Sequence, residues 1–108
     1  MKILPDESLP RKLKSFFGSE NEVFSVKDMD WLGKKNGELL CLLIENKFEI
    51  FVTVDKNLQY QQNLARLPLT IFVLRALDNR LQTLQQLIPL IFERISEDKL
   101  QNVIEISA

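Results

Sequence analysis

Glu49-Ile50-Phe51-Val52-Thr53-Val54-Asp55 is the stretch that decides the fold. From Ile50 to Val54 every residue is a β-former, with no apolar–polar alternation. Such a run predicts a strand buried on both faces, as parallel strands are when crossover helices cover their sheet. Asp55 ends it. Beyond it, Leu58 to Leu64 reads as a short helix carrying Tyr60, Gln61, Gln62 and Asn63. Leu69 to Leu74 reads as another buried strand. Asp78 or Asn79 is expected to cap a helix from Arg80 to about Ile95, with a kink or break at Pro89. Gln101 to Ile106 reads as a last strand.

The same reading extends back to the N-terminus. Asn36-Gly37 is a turn signal, followed by an apolar helix from about Glu38 to Asn46 packed on the sheet. Asp28 to Gly33 is a loop or helical turn holding Trp31. Val23, Phe24 and Val26 suggest a strand. Leu9, Leu13, Phe16 and Phe17 recur at helical spacing, with Ser8 as N-cap, Pro10 in the first turn and Gly18 as the stop. Lys2 to Pro5 is a first strand, closed by a proline that cannot donate to a ladder. Strands alternating with helices predict one α/β domain over residues 1–108 with a mostly parallel sheet.

Composition narrows the chemistry. The chain has no histidine and one cysteine, so a Ser-His-Asp triad, a histidine acid/base pair, a cysteine zinc cage and an internal disulfide are all excluded. Cys41, inside Leu39-Leu40-Cys41-Leu42-Leu43-Ile44, is expected to be a buried thiol. Net charge is −1, so any nucleic-acid contact has to be local. Proline and acid follow the first apolar residues, so no signal peptide is expected. No apolar run reaches the ~18 residues of a membrane span, and a cytoplasmic location is expected.

In open parallel sheets, sites form beyond the carboxyl ends of the strands. There the first strand delivers Asp6, then Glu7 and Ser8. The central strand delivers Thr53, Asp55, Lys56 and Asn57, and Glu38 opens the helix after Asn36-Gly37. Oxygen ligands in this set suit Mg²⁺ or Mn²⁺, which activate water and offset phosphodiester charge. An aspartate after a strand also suits a helix cap, and residue spacing leaves both readings open. Arg11, Lys35 and Lys56 flank the same regions as candidate phosphate contacts. Trp31, Tyr60 and the Gln61-Gln62-Asn63 cluster are candidates for contact with bases, against a core role expected for Trp31 and a surface or supporting role for the glutamines.

Three stretches carry a family resemblance. Asp6-Glu7-Ser8-Leu9-Pro10-Arg11-Lys12-Leu13 resembles the "DE-x-x-P-R-x-L" opening of the DUF5615 PIN-like family. Gly33-Lys34-Lys35-Asn36-Gly37-Glu38-Leu39-Leu40 is similar to its "G-L-K-N-G-x-L-L" segment. The run from Phe51 to Leu64, read through Thr53, Asp55, Asn57, Gln61, Gln62 and Asn63, is similar to its "V-T-x-D-x-N-L-x-x-Q-Q-N-L" segment. The resemblance implies a PIN-like three-layer α/β/α sandwich. It further implies a Mg²⁺- or Mn²⁺-dependent ribonuclease of the VapBC toxin type. The expected partners are RNA and a small antitoxin of the DUF433 type, with a homodimer as a further assembly and no membrane contact. By the resemblance Asp6, Asp55 and Glu38 are catalytic metal ligands, supported by Glu7, Ser8, Asn36, Thr53 and Asn57, while Arg11, Lys35 and Lys56 hold RNA. The chain departs from the family in carrying Asn36 and Asn57 where related proteins have acids. The alternative expectation is therefore a non-catalytic PIN-like module that binds RNA or a protein.

Overall fold

The computed structural model describes residues 1–55, 68–78, 80–96 and 103–107. Among the described residues five strands form one sheet: β1 (Lys2–Pro5), β2 (Glu22–Val23), β3 (Ile50–Thr53), β4 (Thr70–Arg75) and β5 (Val103–Ser107). Their order is β2-β1-β3-β4-β5, and every pair is parallel. The predicted central run is the middle strand, with all four residues of β3 buried. Ile50 pairs with Ile3 on one side and Thr70 on the other.

Side chains alternate across the sheet and build a core on each face. On one face Ile3, Ile50, Val52, Phe72 and Leu74 meet Leu13 and Phe17 of a 3₁₀ helix (Arg11–Phe17). Leu84 of α2 (Leu81–Gln85), and Ile88 and Ile91 of α3 (Ile88–Ile95), complete that layer. On the other face Leu4, Phe51, Ile71 and Val73 pack with Leu39, Leu40 and Leu43 of α1 (Asn36–Glu45), and with Trp31 and Phe48. Trp31 and Phe48 meet edge to face, with ring centroids 5.9 Å apart. β5 buries Ile104 and Ile106 but exposes Glu105, as an edge strand does.

Several local expectations change. Ser8 is not an N-cap: Pro10 holds that position, and the element that follows is 3₁₀ rather than α. Phe16, expected on its apolar face, is 44% exposed, while Gly18 does end the element at φ 85°. The strand predicted around Val23, Phe24 and Val26 shortens to Glu22–Val23. Asn36-Gly37 is not a turn before the helix but its first two residues. The left-handed geometry falls earlier, at Asp30 and Gly33, so Lys35 is already extended and α1 starts directly after it. The predicted 80–95 helix breaks at Gln86-Leu87, three residues before Pro89. The ring of Pro89 would strike the carbonyl of Gln85 four residues back, and Gln85 is where α2 stops. Pro89 then sits in the first turn of α3, where its missing N–H costs nothing. Cys41 is exposed, not buried. The helix expected over Leu58–Leu64 lies outside the described residues.

Candidate functional site

The crossover pattern of a β2-β1-β3-β4-β5 sheet reverses between β1 and β3, and in open parallel sheets such a switch point is where ligands bind, beyond the carboxyl ends. Asp6 follows β1 directly, and Asp55 lies two residues past the end of β3. The Asp6 N–H donates to the Val52 carbonyl at 2.8 Å, carrying the ladder one residue past Pro5. By alternation the Pro5 nitrogen faces the β2 side, where β2 has already ended at Val23, so no ladder bond is lost.

Thr53 is the one polar side chain buried among the described residues, at 1% exposure. Its hydroxyl donates to Asp6 Oδ2 at 3.0 Å and accepts the Asp55 N–H at 3.1 Å. One hydroxyl thus connects the two strand ends. Asp6 Oδ2 also accepts the Ser8 hydroxyl at 3.0 Å, and Oδ1 accepts the Glu7 N–H at 2.8 Å. Ser8 and Thr53 therefore hydrogen-bond Asp6 through their side chains, and Glu7 does so through its backbone. An ionised carboxylate has about four lone-pair sites. Three are engaged here, which leaves one direction on Oδ1 for a further partner.

The other predicted residues are placed as follows. α1 runs back from the carboxyl edge of the sheet to the start of β3, so Lys35 and Glu38 begin at the edge that carries Asp6. Glu38 is exposed and pairs with Lys34 one turn earlier, at 2.9 Å. Asn36 opens the same helix. Among the described residues no group of three or more His, Cys, Asp or Glu side chains stands close enough to hold a metal. Lys56, Asn57, Tyr60, Gln61, Gln62 and Asn63 lie outside the described residues. Trp31 is a core residue.

The structure adds Lys14, Ser25, Lys27 and Asp28 to the residues that the sequence marks. A cleft of about 180 Å³ opens beside Asp6, between the 3₁₀ helix and the segment after β2. Arg11, Lys14, Ser25 and Lys27 line it with Asp6 and Glu7. Lys14 Nζ bonds Asp28 Oδ2 at 2.8 Å. Ser25 and Asp28 cap each other reciprocally: the Ser25 N–H donates to Asp28 Oδ2 at 2.9 Å, and the Asp28 N–H to Ser25 Oγ at 3.0 Å. The Lys14 hydrogen bond, aided by the Ser25 N–H, lowers the Asp28 carboxyl from 3.8 to about 2. Ser25-Val26-Lys27-Asp28 has the spacing of a capping box, the signal that would have marked this turn.

No helix among the described residues is long and apolar enough to cross a membrane. No family model matches the chain, and neither the curated proteins nor the solved structures compared with it give a match.

Proposed function

We propose that this chain is a PIN-like three-layer domain acting as a metal-dependent endoribonuclease, the toxin of a toxin–antitoxin pair. One observation carries the reading: Asp6 and the Asp55 backbone are joined through the buried Thr53 hydroxyl at the sheet's switch point. A lone buried hydroxyl shared between two strand ends is an arrangement that core packing does not require.

The donor set fits Mg²⁺ or Mn²⁺. The candidate ligands are hard carboxylate oxygens, and Asp6 retains one free direction on Oδ1. Mg²⁺ commonly binds through one or two carboxylates and keeps several waters, so a third acid is not obligatory. Asp6 and Asp55 would hold the ion; Glu38, the third proposed ligand, pairs with Lys34 and is not grouped with them among the described residues. Its surface pair with Lys34 is worth only about 0.3–0.5 kcal/mol and does not fix it. When bound, such an ion supplies an activated water and charge neutralisation at the phosphodiester. Thr53 and Ser8 orient Asp6, while Arg11 and Lys35, with Lys56, hold the RNA backbone. Hydrolysis adds water across a P–O bond, leaving a phosphate on one fragment and a hydroxyl on the other. A small antitoxin of the DUF433 type is the proposed protein partner, and the cytoplasm the proposed site of action.

The test is cleavage of structured RNA with Mg²⁺ or Mn²⁺, wild type against Asp55→Asn. Loss of cleavage in the variant is expected, and equal cleavage overturns the assignment. Asn36 and Asn57 in place of acids, with a net charge of −1, favour a second reading, a non-catalytic PIN-like module that binds RNA or a protein. That reading expects no cleavage and no Mn²⁺ affinity, and Mn²⁺ binding abolished by Asp6→Ala overturns it.

A further inference from the structure

A wider groove of about 660 Å³ runs along the 3₁₀ helix. Phe16 of that helix, Val23 of edge strand β2 and Leu81 at the start of α2 give it an apolar centre. Phe16 is 44% exposed, and no other aromatic ring among the described residues is exposed. A half-exposed ring beside two partly buried aliphatic side chains is the kind of anchor that protein interfaces use. β2 has only two residues, so its backbone edge offers little to a further strand and side chains must carry the contact.

The charges around this centre are sorted by sign. Arg11, Lys12 and Lys14 are the charged residues of the lining. Asp28 holds Lys14 at 2.8 Å, and Arg11 also lines the cleft that contains Asp6 and Glu7. Lys12 is exposed and forms no ion pair among the described residues. Glu20 is its counterpart, exposed and likewise unpaired among them. The turn that carries Glu20 is fixed by Asn21. Its N–H donates to the Gly18 carbonyl at 3.4 Å, and its side chain donates to the Phe17 carbonyl at 2.7 Å. Lys12 and Glu20 stand four residues before and after Phe16. The helix starts beyond the carboxyl end of β1, and Glu22 pairs with Lys2 at the amino end of β1. The two charges therefore flank Phe16 towards opposite edges of the sheet.

A partner of one charge sign would satisfy one end of this patch and be repelled by the other. A second copy, turned about a two-fold axis at Phe16, satisfies both ends. Lys12 of each copy then meets Glu20 of the other, and the two Phe16 rings meet at the axis. We infer that the chain forms a two-fold dimer through this face. The inference stands apart from the ribonuclease reading. Its apolar centre is small, so the dimer lies at the weak, micromolar end of the interface range.

The experiment is sedimentation equilibrium of the full chain at low salt, from about 1 to 500 µM, which spans the expected range. Phe16→Ser, Lys12→Glu, Glu20→Lys and the double charge reversal are compared with wild type. All three positions are exposed, and a thermal melt checks that each variant folds. Phe16→Ser is expected to weaken the dimer by about tenfold or more, since its ring is lost from both copies. Each single charge reversal weakens it by about tenfold, because two symmetry-related attractions become repulsions. The double reversal restores it to within about threefold of wild type, the coupling that a direct pair requires. Wild type that stays monomeric throughout overturns the dimer and assigns the groove to a different partner. A dimer indifferent to Phe16→Ser, or one that the double reversal fails to restore, overturns this face as its interface.

Discussion

Replacing Thr53 with valine keeps the shape of a buried β-branched side chain and removes only the hydroxyl. Two hydrogen bonds go with it, one to the Asp6 carboxylate and one from the Asp55 N–H. A hydrogen bond to a charged group contributes about 1.5–3 kcal/mol and a neutral one about 0.5–1.5. The low ends apply, because Asp6 is only half-buried and keeps Ser8, Glu7 and water as partners. The added methyl at a site 1% exposed returns about 0.8 kcal/mol. The net cost is therefore about 1–2 kcal/mol, or a fall of roughly 5–10 °C in Tm for a domain of this size. Stability alone does not isolate the contact, so the decisive assay is a double-mutant cycle by urea unfolding. Thr53→Val and Asp6→Ala together are expected to cost about 1 kcal/mol less than their sum, since each removes the same bond. Additivity within about 0.3–0.5 kcal/mol would show that the hydroxyl does not hold Asp6 and refute the reasoning. On the proposed function, Thr53→Val also weakens Mn²⁺ binding by about tenfold or more, as loss of a ligand's supporting partner does.

Three further outcomes follow from local geometry. The Asp28 carboxyl is lowered on folding, so its stabilisation is fully present above 3.8 and is lost as pH falls towards about 2. Because the pair is exposed to solvent, Asp28→Asn is expected to cost no more than about 1 kcal/mol at pH 7, with the difference from wild type vanishing across that window in urea titrations. Cys41 is exposed, so an aromatic disulfide reagent should titrate one thiol per native chain as fast as in the unfolded chain; protection until unfolding would place it in the core. Pro89→Ala should change the urea midpoint by less than the equivalent of about 1 kcal/mol, because the proline occupies the first turn of α3; a loss near 3 kcal/mol would mean it has another role.

What could be read from the chain follows from how each signal arises. Ile50 to Val54 was legible because burial on both faces leaves almost no polar position, and the parallel sheet then follows from the alternation of elements. Cys41 was misread because hydropathy averages around a helix, whereas packing selects one side of it. Leu39, Leu40 and Leu43 fall on one face at helical spacing, while Cys41 stands about 200° from Leu39. Ser8 looked like a cap because it precedes Pro10, but the Asp6 carboxylate competes for its hydroxyl and holds it at 3.0 Å.

The candidate site divides along the same line. Asp6 and Asp55 were visible because strand ends mark where an open parallel sheet exposes its crevice. The cleft beside Asp6 was not, because Arg11 and Lys14 belong to one connection and Lys27 to the next, and separate segments reveal no shared wall. Thr53 gives the strongest connection between sequence and site. A threonine inside an otherwise apolar strand reads as one more β-former. Its burial as the one polar side chain among the described core residues gives it a task that packing alone does not assign. A buried hydroxyl needs partners, and at this strand end the partners are the carboxylate of Asp6 and the backbone of Asp55.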